Sequence, residues 1–102
     1  MRAHNYILNE HGQPVLEPDL IKWARWFEDG KRVLRQDRVG EILVSTVFLA
    51  NDHNFMEEGP PILWETMIFG GEHDQYQERY SSREAALEGH EKALQLVKGQ
   101  TA

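Results

Sequence analysis

The run Val44-Ser45-Thr46-Val47-Phe48-Leu49, then Ala50-Asn51-Asp52-His53-Asn54-Phe55-Met56-Glu57-Glu58-Gly59-Pro60-Pro61, then Ile62-Leu63-Trp64-Glu65-Thr66-Met67-Ile68-Phe69, decides the fold of this chain. Two apolar segments of strand length enclose a polar connection of about a dozen residues, longer than an ordinary hairpin loop and of the kind that tends to carry function. Extended back to Ile42, the first segment places Ile42, Val44, Thr46 and Phe48 on one face and Leu43, Ser45, Val47 and Leu49 on the other. The second alternates Ile62, Trp64, Thr66 and Ile68 against Leu63, Glu65, Met67 and Phe69. Both faces of both segments are mostly apolar, as expected of central strands.

Outward from this pair, Lys31–Val39 carries four basic residues and reads as an edge strand protected against edge-to-edge pairing, with Gly40-Glu41 as the turn into Ile42. Gly70-Gly71 opens a second polar loop, Glu72-His73-Asp74, before a short strand around Tyr76–Tyr80. A helix is predicted before the sheet, with Pro18 in its first turn, Glu17 and Asp19 at the positive end of the dipole, and Gly30 as terminator. Leu20, Ile21, Trp23, Ala24 and Phe27 are read as its core face. Trp26 falls at the edge of that stripe, either a core flank or an aromatic anchor for a partner or a second copy. A closing helix starts at the capping box Ser81/Glu84 and runs to about Lys98, ended by Gly99, with Ala86, Leu87, His90, Ala93, Leu94 and Val97 on one face.

Residues 1–16 give only Tyr6-Ile7-Leu8 and Pro14-Val15-Leu16 around a turn at His11-Gly12, a small hairpin or an ordered arm before a compact core at 17–99. Two amphipathic helices and one sheet need each other's apolar faces. The expected architecture is therefore a single α+β domain, an antiparallel three- to four-stranded sheet with two helices packed on one face.

At 102 residues the chain can bury a core of its own. It contains no cysteine, which excludes a disulfide framework, a thiolate zinc site and a cysteine nucleophile. No run approaches the roughly 20 apolar residues of a membrane span, and the first residues lack the apolar core of a signal peptide, so a soluble cytoplasmic protein is expected. The formal charge of −6 argues against binding nucleic acid through phosphates. Its distribution is uneven: six basic residues against three acidic ones between Lys22 and Arg38, then seven acidic residues and no Lys or Arg from Ala50 to Glu78. Oppositely charged surfaces orient self-association, or present an acidic face to a partner. The helix, strands, helix order is similar to that of double-stranded-RNA-binding domains, but such modules present basic residues to RNA, whereas the last helix and the loops here are acidic.

Asp52, His53 and Asn54, with Glu57 and Glu58, form the densest polar cluster and the first candidate for partner binding. Asp52 and His53 with Glu57 or Glu58 are also the candidate metal ligands, although their spacing matches no established motif; the alternative is a loop held by Asx-type hydrogen bonds. Glu65 sits among large apolar residues, which requires a paired, a protonated or a locally exposed carboxylate. His90 lies mid-stripe on the last helix, either as a satisfied core histidine or as a ligand. A Glu65–His90 contact is the expected polar pair of the core, structural or acid/base. Antiparallel pairing of the two central strands would put Asp52–Asn54 at one end of the sheet and His73 at the other. No Gly-x-Ser-x-Gly elbow and no Gly-rich phosphate loop is present, and no cofactor is implied.

On Val44–Leu49, Asp52-His53-Asn54-Phe55, Gly59-Pro60-Pro61, Ile62–Phe69 and the late Tyr80–Glu84 with Ala86, Gly89 and His90, the chain resembles a family of small uncharacterised proteins of bacteriophages, prophages and some bacterial genomes. The resemblance covers roughly residues 40–95; Ala50-Asn51 stands where similar proteins often have Gly and a variable residue. It implies a phage or mobile-element setting and brings no catalytic residue. In that setting the expectation is a non-enzymatic binding protein that engages a host or phage protein, such as a defence factor, or sequesters a small ligand. A metal-dependent hydrolase or nuclease using Asp52 and His53, with Glu65 as a third group, is the alternative, and a virion or assembly component, seen as a homo-oligomer, is the other.

Overall fold

A computed structural model describes residues 4–56 and 58–101. The elements run β1 (Tyr6–Leu8), β2 (Pro14–Leu16), α1 (Leu20–Asp29), β3 (Val33–Val39), β4 (Ile42–Phe48), β5 (Trp64–Phe69), β6 (Gln77–Tyr80) and α2 (Arg83–Thr101). The last four strands form one antiparallel sheet in the order β3-β4-β5-β6, and β1 and β2 form a separate antiparallel hairpin. The architecture is α+β, as the residue pattern predicts, with the basic strand β3 at one edge.

Register sets which residues share a face. Val44 pairs with Ile68, Thr46 with Thr66 and Phe48 with Trp64 across β4 and β5, and Asp37 pairs with Val44 across β3 and β4. The face carrying Ile42, Val44, Thr46, Phe48, Trp64, Thr66 and Ile68 is the one α2 covers, through Ala86, His90, Ala93, Leu94 and Val97. These α2 positions are three or four residues apart and so lie on one stripe. Full burial of side chains such as Phe48 or Ile68 contributes roughly 1.5–3 kcal/mol each. The core divides into two apolar clusters, one of Ile42, Val44, Ile68, Ala93, Leu94 and Val97, the other of Phe48, Ala50, Leu63, Trp64 and Ala86. Between them runs a polar band of Thr46, Thr66 and His90, all fully buried.

Helix α1 joins the second cluster with its aromatic residues. Trp23 and Phe27 pack on it, and the Trp26 ring meets Phe48 edge-on with centroids 5.6 Å apart. The inward face is thus centred on Trp23, Trp26 and Phe27. This corrects the expected core face: Leu20 and Ile21 are 65% and 66% exposed. Three aromatic rings supply more apolar area than Leu20 and Ile21, so the helix turns them to the sheet. The Trp26 ring also lies against Gly30, where a Cβ would come within 2.7 Å of it, so the helix terminator is glycine because of close approach rather than backbone sign.

The helix boundaries also differ from expectation. Asp19 is the N-cap of α1, its Oδ1 accepting from the N–H groups of Ile21 and Lys22, and Pro18 precedes the helix. In α2 the cap is Ser82, whose Oγ accepts the Ala85 N–H at 3.1 Å, so the cap lies one residue later than expected and, with Ala85 three residues on, it is a simple serine cap rather than the expected Ser81/Glu84 box. The helix continues through Gly99 to Thr101. One glycine with no side chain near it costs about 1 kcal/mol against alanine, too little to stop a helix already docked through Val97.

Candidate functional site

The loop from Ala50 to Pro61 leaves β4 with a sharp reversal. Ala50 is buried at φ 67°, a left-handed conformation that costs a non-glycine residue roughly 1 kcal/mol or more. What holds it is visible: its carbonyl accepts the Tyr6 N–H at 2.8 Å and the Trp23 indole N–H at 3.1 Å. Ala50 thereby ties the hairpin and α1 to the end of the sheet. Asn51 adds a bridge to Asn5, its Nδ2 donating to the Asn5 Oδ1 at 2.7 Å.

Beyond this anchor the polar cluster turns inward. The buried Asp52 carboxylate accepts the N–H groups of Asn54 at 2.8 Å and Ile62 at 3.0 Å through one oxygen, closing the loop across its neck. Asn54 is equally buried. Its Nδ2 donates to the carbonyls of Glu58 and Pro60, and its Oδ1 accepts the Met56 N–H. The His53 Nδ1–H donates to the Asn51 carbonyl at 2.9 Å, and its ring lies 5.9 Å from that of Phe55. These are charge-assisted and neutral hydrogen bonds to backbone, so Asp52 and Asn54 act as clamps. Glu58 is exposed; Glu57 lies outside the described residues.

The clamps display Phe55 and Met56, 73% and 72% exposed at the tip. Leu16 on β2 and Leu20 and Ile21 on α1 are exposed as well, and both elements are tied to this end through Ala50. Exposed apolar side chains thus stand on the loop and on two elements tied to it, with the exposed Glu58 close in sequence to the tip. Residue pattern alone singled out the polar residues of the loop and passed over Phe55 and Met56. Two large apolar residues in a polar loop, with no strand or helix to hide them, were the available signal.

The expected Glu65–His90 pair does not form. Glu65 lies on the sheet face opposite α2, paired in register with Val47 and Arg79, and its carboxylate accepts from the Arg79 Nε at 2.9 Å and from the Gln77 amide. His90 is on the other side of the sheet. Its Nε2 meets the Asp37 carboxylate at 2.8 Å, and its Nδ1 meets the Thr46 hydroxyl at 2.7 Å, which in turn contacts the Thr66 hydroxyl. With Nε2–H donating to Asp37, Nδ1 accepts from Thr46, and each buried polar atom is satisfied. Asp37 also accepts from the Arg35 Nε, and Arg35 reaches Glu91 on α2. The hydrogen bond from His90, and after it the charge of Arg35, hold the Asp37 carboxyl below its ordinary pKa against partial desolvation.

The Asp37–His90–Thr46 order is that of a nucleophile activated through a histidine, but both Thr46 and His90 are fully buried beneath α2. A hydroxyl there cannot meet a substrate, and the chain of contacts fastens α2 to β3, β4 and β5 instead. The candidate metal ligands are likewise committed elsewhere: one Asp52 oxygen holds two backbone N–H groups, the Glu65 carboxylate faces Arg79, and His53 donates to backbone. Among the described residues no group of three or more His, Asp or Glu side chains is placed to hold a metal ion. Trp26 is half-buried between Gly30 and Phe48, on the core side of α1. No helix among the described residues is long and apolar enough to cross a membrane.

Comparison with models of known protein families, with characterised proteins and with solved structures finds no match.

Proposed function

We propose that this protein is a non-enzymatic binding protein of a phage or prophage setting, and that it engages a host or phage protein through the end of the fold built by the 50–61 loop, β2 and α1. The observation that carries this reading is the pairing of a loop clamped from within by Asp52 and Asn54 with two large apolar side chains, Phe55 and Met56, held out at its tip. A loop ordered before binding loses little entropy on contact, and exposed aromatic and Met side chains are the types that anchor interfaces. Glu58 beside the tip, and the acidic run from Ala50 to Glu78, favour a basic partner surface and a salt-dependent association rate.

The test compares the wild-type chain with a Phe55→Ser/Met56→Ser variant, both shown to be folded by circular dichroism. Each is used to capture proteins from the bacterial host, and its subunit count is read by native mass spectrometry. A partner retained by the wild type and lost by the variant is expected. Recovery of the same set of proteins by both would overturn the reading, and an oligomer dissolved by the substitutions would convert it to self-assembly.

A further inference from the structure

A second feature, made of other residues than the apolar tip, lies along the outer edge of the sheet. Strand β6 is last in the order β3-β4-β5-β6 and pairs on one side only, with β5. The Tyr76 carbonyl accepts the Ile68 N–H at 3.1 Å, and the Tyr80 carbonyl accepts the Leu63 N–H at 3.1 Å. Alternate residues of a strand turn their N–H and C=O groups to the same side, so Gln77 and Arg79 direct theirs away from β5, toward the open edge. The long side chains of this strand do not blunt that edge: Arg79 and Gln77 reach over the face opposite α2 to the Glu65 carboxylate.

On the α2 side of the same edge runs a groove of about 370 Å³, with Tyr76, Glu78 and Tyr80 along one wall and Glu88, Gly89 and Lys92 of α2 along the other. Glu78 and Tyr80 pair in register with Thr66 and Trp64, which puts them on the face that α2 covers. A second, mostly apolar hollow of about 590 Å³ shares Tyr76 and Lys92 with the first and continues it to Gln95 and Leu96. The groove is acidic: Glu78 and Glu88 stand against the single cation Lys92, and neither has an ion-pair partner among the described residues. Burial, and after it the charge of Glu78, raises the Tyr76 phenol above its ordinary pKa, so the field of that carboxylate is felt inside the groove.

We infer that β6 and this groove receive an extended basic segment of a partner protein as a fifth strand of the sheet. The backbone of the segment pairs with the outward N–H and C=O groups of Gln77 and Arg79, and every second side chain enters the groove. Lys or Arg suits that position, because its apolar stem lies along the wall while its charged head reaches Glu78 or Glu88. A second copy of this chain is a poorer occupant: edge-to-edge pairing centred on β6 sets Glu78 opposite its own equivalent and brings two acidic grooves together.

The experiment titrates the ¹⁵N-labelled chain with the synthetic peptide acetyl-Thr-Lys-Thr-Lys-Thr-Lys-Thr-amide and, separately, with its Glu-for-Lys counterpart, following the backbone amide resonances. Saturable downfield shifts of the Gln77 and Arg79 amide protons are expected with the basic peptide only, and Glu78→Lys/Glu88→Lys should weaken that binding roughly tenfold or more. Both carboxylates are on exposed residues, so the double substitution leaves the core intact. Gln77→Pro removes an outward donor and no ladder bond, and should weaken binding by a similar factor with the charge of the groove unchanged. Equal binding of the two peptides, no saturable shift, or a saturable shift that leaves the Gln77 and Arg79 amides unmoved would overturn the inference. So would a dimer in native mass spectrometry whose Gln77 and Arg79 amides are protected from exchange before any peptide is added, which would assign the edge to a second copy.

Discussion

Gly89 offers the sharpest test of how α2 is seated. It lies buried in the middle of the helix, and a Cβ added there would fall 2.0 Å from the Tyr80 hydroxyl oxygen and 2.2 Å from Cζ. In an exposed helix interior Gly→Ala gains about 1 kcal/mol from propensity. Here the Tyr80 ring must retreat by more than an ångström, and it is packed on the cluster of Phe48 and Trp64 at the end of β6. Overpacking of this kind costs typically about 1–3 kcal/mol, and contacts this short put it at the upper end. The net expectation for Gly89→Ala is a loss of about 2 kcal/mol, or roughly 10 °C in melting temperature for a domain of this size. Urea unfolding followed by circular dichroism measures it. The decisive comparison repeats the substitution in a Tyr80→Leu background, where the obstacle is gone and Gly89→Ala should become neutral or favourable by up to about 1 kcal/mol. A gain in stability from Gly89→Ala in the otherwise wild-type chain would refute the placement of Tyr80 under the helix.

Three other substitutions probe the polar contacts. Asp37→Asn should destabilise the protein near neutral pH. Because the folded-state carboxyl pKa is lowered, the wild-type advantage is complete above the unfolded carboxyl value and disappears as pH falls through the folded one, so unfolding free energies of the two proteins should converge in acid; a gap independent of pH would count against the His90 contact. Asp52→Ala leaves the N–H groups of Asn54 and Ile62 without their acceptor, at a cost of about 1–3 kcal/mol, and should open the 50–61 loop to limited proteolysis; an equally resistant loop would show that Asp52 is no clamp. Arg79→Ala leaves the nearly buried Glu65 carboxylate with the Gln77 amide but no cation and should cost about 1–2 kcal/mol, whereas a Glu65→Met/Arg79→Met pair should recover most of it in denaturant titrations; equal losses from both would argue against pairing across β5 and β6.

The sequence by itself determined the elements and their class. Ile42–Phe48 and Trp64–Phe69 are short apolar runs rich in β-branched and aromatic residues and bounded by glycine and proline, which reads as central strands, and the three- and four-residue spacing from Ala86 to Val97 puts apolar area on one side of a helix. Antiparallel pairing of the two strands then separated Asp52–Asn54 from His73 without any coordinates. Alternation alone leaves open which face of a two-sided apolar strand receives the helix, and that choice sent His90 to Asp37 and Thr46 and left Glu65 to Arg79. Nor does it give the rotation of α1, where the aromatic residues won the sheet contact and released Leu20 and Ile21 to the surface. The 50–61 loop is the clearest case. Its Asp, His and Asn could be read as ligands or as clamps, and only the closing of backbone N–H and C=O groups around Asp52 and Asn54 decided for clamps, because buried backbone polar groups must find partners, while Phe55 and Met56 stay exposed.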